Sequence, residues 1–233
     1  MTEQEYEQRL EKEITEVTER YERILDTVII GLASVVESRD NSTGHHVKRT
    51  SEGVRAFMKI LKDDPDYQVD EKFCRSISKA APMHDLGKLS VPDAILQKPG
   101  SFTEEDYRQM KKHSQSGAML VFEVLSEILD PDFVKIAINV AHYHHEKWDG
   151  TGYPSGLKGE MIPFEARVMA LADVFDALVS KRCYKDQFSY DEAFNIIESS
   201  LGTHFDPVLG QKFIEHRSTF EALYDRLLSE DNA

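Results

Sequence analysis

His84-Asp85-Leu86-Gly87-Lys88 places an imidazole, a carboxylate and an ammonium within five residues. An adjacent histidine and aspartate can both reach one metal ion if a helix end or a kink turns them inward. The two carboxylate oxygens allow Asp85 to bridge a pair of ions. Lys88 is one turn beyond His84 and can share its helical face. Working outward, seven of the nine histidines fall between 45 and 145: His45, His46, His84, His113, His142, His144 and His145. His144-His145 is a second adjacent pair, and His46, His113 and Asp173 are separate candidates. Oxygen and nitrogen donors without thiolate suit Fe(II), Mn(II), Zn(II) or Ni(II) better than soft metals.

The flanking sequence reads as helices joined by short loops, with no stretch that alternates long enough for a strand. Candidate helices are 45–62, 70–83, 103–111, 115–128, 132–145, 164–181, 189–200 and 206–228. Asp70 and the Thr103-x-x-Asp106 pair supply N-caps. Turn residues concentrate in Ser90–Ser101 and Asp149–Pro163. Ahead of these, residues 3–38 carry Leu10, Ile14, Val17, Tyr21, Ile24, Val28, Gly31 and Val35 at alternating spacings of four and three, the 3.5-residue seam of a coiled coil. From Leu25 onward apolar residues crowd more than one side, so the helix is expected to enter the core there. The fold class is all-α, with residues 1–38 as a signalling and dimerisation helix and 39–233 as the catalytic domain.

Composition excludes several classes. The 233 residues carry 28 Lys plus Arg against 42 Asp plus Glu, a net charge of −14. Such a chain does not bind DNA or an anionic membrane through general electrostatics. Cys74 and Cys183 form neither a disulfide framework nor a metal spacing, which points to a reducing, cytoplasmic setting. The longest early apolar run, Val28 to Val36, is half of what spans a bilayer. No signal peptide is legible.

The motif order resembles a known family. His84-Asp85-Leu-Gly-Lys88 resembles the signature of the HD superfamily of metal-dependent phosphohydrolases. His144-His145-Glu146-Lys-Trp-Asp149-Gly150-Thr-Gly152-Tyr153-Pro154 resembles the second signature of its HD-GYP branch, as do Ser90–Gly100, Ile162-Pro163, Ala172–Leu178 and Gly202–Pro207. The likeness runs from about Asp40 to about Phe213. It implies an all-helical HD-type bundle that hydrolyses the bacterial second messenger cyclic di-GMP.

The resemblance also implies roles. His46, chosen over His45, with His84, Asp85 and Asp173 would hold one divalent ion. Asp85, His113, His144 and His145 would hold the other, with Fe or Mn preferred and Zn or Ni as further fits. A hydroxide between the ions would be the nucleophile, with Asp85 and Lys88 as catalytic residues. Asp40, Lys88, Tyr153, Arg182 and Lys185 match positions that touch substrate. Glu146 and Asp176 are expected to support the imidazoles. Ser42 stands where some members carry a third-metal glutamate, which favours two ions and pGpG as product over GMP. A homodimer through the first helix, and an upstream receiver or sensor domain, are implied. The alternative is a low-activity cyclic di-GMP-binding module that signals through partner proteins.

Overall fold

A computed structural model describes residues 2–40, 45–127, 130–180 and 187–231. Its helices in chain order are α1 (Glu3–Glu37), α2 (His46–Asp63), α3 (Glu71–Ala80), α4 (Asp93–Leu96), α5 (Glu104–Leu125), α6 (Pro131–Tyr143), α7 (Phe164–Val179), α8 (Tyr190–Ser199), α9 (Pro207–Glu215) and α10 (Arg217–Asp231). Short 3-10 turns occupy Ala81–Met83, Leu86–Ser90 and Gly159–Met161. Among the described residues the only β feature is an isolated bridge between Leu201 and Phe205, and no helix is long and apolar enough to cross a membrane.

The helices start where local chemistry lets them. Thr2 and Glu5 form a reciprocal capping box on α1, Thr103 and Asp106 one on α5, and Ser189 and Glu192 one on α8. Asp70 caps α3 through the Phe73 amide. Asp206 caps α9, whose first residue is Pro207, where the missing N–H costs nothing.

Helix α1 presents two different stripes. Ile29, Ala33 and Val36 are buried on the domain, at the spacing of an ordinary α-helical face. The heptad seam lies elsewhere: Leu10, Ile14, Val17, Tyr21, Ile24, Val28 and Val35 are all exposed. The helix therefore docks its last turns without burying the seam, and Val28, Ile30, Leu32 and Val35 stay in solvent where the sequence suggested immersion on several sides.

The expected helices are divided differently in two places. The segments 103–111 and 115–128 are one continuous helix, α5. Conversely, 206–228 is two helices, α9 and α10, that meet at His216. In one straight helix Phe213 and Phe220 would stand about 10 Å apart along the axis; here their rings stack at 3.8 Å, which requires the chain to turn. That stack joins Phe57, Phe175, Phe194 and Tyr224 in an aromatic core tying α2, α7 and α8 to α9 and α10.

Gly87 sets how closely the His84–Lys88 segment approaches α5. A Cβ there would lie 1.8 Å from the His113 carbonyl oxygen and 2.4 Å from the Gly117 amide nitrogen. Only glycine lets the two backbones touch, and this contact brings Asp85 against His113.

Candidate metal centre

Four of the five predicted histidines arrive from different elements with their rings already oriented. His84 follows the first 3-10 turn, and its Nδ1 bonds the Ala81 carbonyl at 2.8 Å. His113, midway along α5, bonds the Met110 carbonyl at 2.7 Å. His144, at the end of α6, bonds the Val140 carbonyl at 2.9 Å. A carbonyl only accepts, so each Nδ1 carries the proton and donates it. That leaves each Nε2 as a free lone pair facing the interior. His46, the first residue of α2, donates Nδ1–H to Asp176 at 2.7 Å, and Asp176 is in turn gripped by Arg49 at 2.7 and 3.3 Å and by the Ser180 hydroxyl at 3.1 Å.

The donor atoms converge as two groups. Asp85, His113, His144 and His145 form one, and His46, His84 and Asp173 the other; within each group the donor atoms lie within 4.8 Å of one another. Asp85 faces both. Its Oδ1 is 3.3 Å from His113 Nε2 and 3.9 Å from His144 Nε2, while its Oδ2 is 3.4 Å from His84 Nε2. His46 Nε2 stands 3.2 Å from His84 Nε2, and His113 Nε2 stands 3.4 Å from His144 Nε2. Two nitrogens each about 2.1 Å from one ion are separated by about 3.0–3.4 Å in octahedral or tetrahedral geometry. The spacing suits ligands of a shared cation, and the all-N/O donor set suits a divalent metal. This is the metal class that HD-domain phosphohydrolases use.

The electrostatics favour the same occupant. Burial opposes charge on Asp85, but Lys88 and His84 outweigh it and hold the carboxylate far below its usual range. Burial depresses His113. Burial and neighbouring imidazoles depress His144 and His145, the latter to about 3, so these rings stay neutral and ligand-competent. Burial works against a charge on His46 too, yet hydrogen bonds to Asp173 and Asp176 raise its pKa to about 10. The two carboxylates make the field negative enough to sustain a cation on a buried imidazole.

Lys88 Nζ lies 2.8 Å from Asp85 Oδ2 and 2.8 Å from Asp40 Oδ2. Burial would discharge it, but these two carboxylates keep it protonated well beyond the ordinary lysine range. Tyr153 lies over His145 with ring centroids 4.8 Å apart, and the exposed Lys111 sits 5.1 Å from the Tyr153 ring centre. Arg182, Lys185 and Ser42 lie outside the described residues.

Some supporting residues differ from expectation. The buried carboxylate of Glu146 accepts the Ser155 and Leu157 amides at 2.7 and 3.1 Å and folds the Gly-Tyr-Pro loop around itself. Gly152 lets that loop close, since a Cβ there would lie 2.3 Å from the Lys147 nitrogen. His204 supports the loop through its backbone, accepting the Trp148 amide at 3.0 Å. Trp148 packs over Arg167. Sequence reasoning missed Glu37, whose carboxylate accepts the His46 and Val47 amides at 2.7 and 3.4 Å. It thereby caps a helix whose own N-cap, His45, makes no side-chain cap bond. Arg49, three residues beyond His46 on α2, shares that residue's helical face.

A model of the HD domain family matches residues 32–209. A cyclic di-GMP phosphodiesterase of Vibrio cholerae is 44% identical over 200 residues, which cover 85% of this chain and 41% of that protein. The cyclic di-GMP phosphodiesterase response regulator RpfG of Xanthomonas campestris is 38% identical over 217 residues, 93% of this chain and 53% of that one. Among solved structures, the cyclic GMP-AMP-specific phosphodiesterase V-cGAP3 of Vibrio cholerae superposes with a TM-score of 0.59 at 21% identity, over 90% of this chain and 51% of that one. At that identity the likeness is one of fold. The chain spans about half the length of the curated relatives it matches.

Proposed function

This chain belongs to the HD domain family, and from that footing we propose that it is a metal-dependent phosphodiesterase that hydrolyses cyclic di-GMP to the linear dinucleotide pGpG. The observation that carries the reading is Asp85, whose two oxygens face two separate groups of histidine nitrogens while Lys88 sits against one of them. The names of two relatives that match most of this chain supply the substrate.

His46, His84, Asp85 and Asp173 would hold one divalent ion, and Asp85, His113, His144 and His145 the other, Fe or Mn being the preferred metals. A bound divalent pair supplies Lewis-acid polarisation of a phosphodiester and acidifies water at neutral pH. The protein's own part is orientation. Backbone carbonyls fix three imidazoles in the ligating tautomer, and the Arg49–Asp176 pair does so for His46. Lys88, held protonated, offers a fixed positive charge to the phosphate and does not act as a base. Asp40 aims that ammonium and borders the same space. Tyr153 forms one wall against His145. Arg182 and Lys185 are assigned to the phosphates on the sequence motif.

Residues 1–38 are assigned to signalling and dimerisation and 39–233 to catalysis, with a cytoplasmic setting. The exposed seam of α1 supports pairing with a second copy, and the response-regulator relative, longer than this chain, supports an upstream receiver domain.

The test is anaerobic incubation with cyclic di-GMP and Fe(II) or Mn(II), followed by chromatography. Accumulation of pGpG, abolished together with metal binding in Asp85→Ala, is expected. Rapid conversion to GMP would overturn the assigned product. Ligand and metal binding without turnover would leave a binding module.

A further inference from the structure

We propose that Arg39 is a positioning residue for Lys88, tying the end of α1 to the main chain of the segment that carries the catalytic ammonium. The inference rests on the functional reading above.

Arg39 follows Ser38, the C-cap of α1, and its own amide bonds Val36 at 3.1 Å, so it is held as a continuation of the helix. Its guanidinium crosses to the far side of the Lys88 segment. Nη1 donates to the Lys88 and Leu89 carbonyls at 3.4 and 3.2 Å. Nη2 donates to the Val91 carbonyl at 3.2 Å and to Asp93 Oδ1 at 2.7 Å, and Nε reaches the same Asp93 oxygen at 3.2 Å. The Lys88 and Leu89 carbonyls lie at the end of the 3-10 turn Leu86–Ser90, where the Lys88 carbonyl also accepts the Val91 amide at 3.0 Å. The next residue, Asp40, holds the tip of the same lysine at 2.8 Å. Adjacent residues at the end of α1 thus fix Lys88 at both ends, one by its carbonyl and one by its Nζ.

Two features argue that this is more than a surface ion pair. Asp93 is 62% exposed, and an exposed pair of this kind contributes little to stability. What the guanidinium supplies is geometry: a planar fork that reaches four acceptors spaced over residues 88–93, which a lysine ammonium cannot reproduce. Around it α1 is firmly seated. Ile29, Ala33 and Val36 are buried, and Glu37 caps the helix that begins with His46. A partner that shifts the end of α1 would therefore act directly on Lys88.

The experiment compares wild type, Arg39→Gln and Arg39→Lys, each alone and combined with Lys88→Met, with Asp93→Asn as a milder variant that removes only the anchoring carboxylate. On cyclic di-GMP with Mn(II), kcat is expected to fall on the order of 10²-fold, the scale of a 1 Å misplacement, with KM changed less and metal content retained. In the Lys88→Met background the Arg39 substitutions should cost nothing further. Hydrogen exchange on the metal-free proteins should show protection lost across residues 86–93 and retained in α5 and α6. An equal cost of Arg39→Gln in both backgrounds, or unchanged exchange at 86–93, would overturn the proposal. If wild type fails to hydrolyse cyclic di-GMP, the functional reading falls, and the exchange data still decide whether Arg39 holds the segment.

Discussion

Gly87→Ala is the sharpest test of how the site is assembled. The added Cβ would meet the His113 carbonyl oxygen at 1.8 Å, the Gly117 nitrogen at 2.4 Å and the His113 carbonyl carbon at 2.7 Å. All three are backbone atoms of α5, so no rotamer change relieves the clash. Restoring an ordinary contact of 3.4 Å or more requires the two elements to separate by more than about 1 Å, an overpacking that costs about 1–3 kcal/mol. For a chain of this size that lowers Tm by roughly 2–12 °C. The same separation would carry Asp85 Oδ1 away from His113 Nε2, which it faces at 3.3 Å, so the variant should also bind less metal. Gly31→Ala is the control: nothing lies within 4 Å of its added carbon, and alanine in an exposed helix interior should stabilise by about 1 kcal/mol. Differential scanning calorimetry and metal analysis on both proteins decide it. A Gly87→Ala protein that melts with wild type and keeps its metal would refute the claim that backbone contact between this turn and α5 sets the ligand geometry.

Other consequences are equally direct. Arg49→Gln leaves Asp176 and Asp231 without their guanidinium and unpins His46; with Arg49 3% exposed, the loss should be about 3–5 kcal/mol, read by denaturant unfolding, with weaker metal affinity alongside. Burial and the nearby Lys147 charge lower the pKa of His204 from 6.5 to about 4. Between those values the unfolded chain takes up a proton that the folded one refuses, so stability is full above pH 6.5 and declines as pH falls toward 4. His204→Gln should flatten that part of the metal-free stability curve, and an unchanged slope between pH 7 and 5 would contradict the assignment. Ile14→Glu with Val17→Glu on the exposed seam should convert a dimer to a monomer in sedimentation without lowering the melting temperature of the domain; a monomeric wild type would remove the dimer.

What the sequence disclosed follows from how far each signal reaches. The helical class was legible because the apolar spacing in α1 and the caps at Thr103 and Asp70 are local, and caps at these positions are present. The convergence of His84 and Asp85 with distant histidines was legible only through motif order. The break expected between 111 and 115 is absent, because α5 runs through Ser114 and Gly117 without interruption. Both are buried within the helix, and Gly117 lies directly against Gly87. The turn at His216 follows from Phe213 stacking on Phe220, a tertiary demand with no local marker. Glu37 reaching across nine residues and Arg39 across fifty are side-chain geometries that periodicity does not encode. Glu146 was assigned to the imidazoles because it follows them in sequence, whereas its carboxylate turns away to the amides of its own loop.

The central claim is that Asp85 joins two metal-binding groups into one centre. Anomalous scattering from crystals of the Mn(II)-loaded protein tests it most directly. The account predicts two manganese peaks, one among His46, His84 and Asp173 and one among His113, His144 and His145, with the Asp85 carboxylate between them. A single peak, or two peaks not bridged by Asp85, would contradict it.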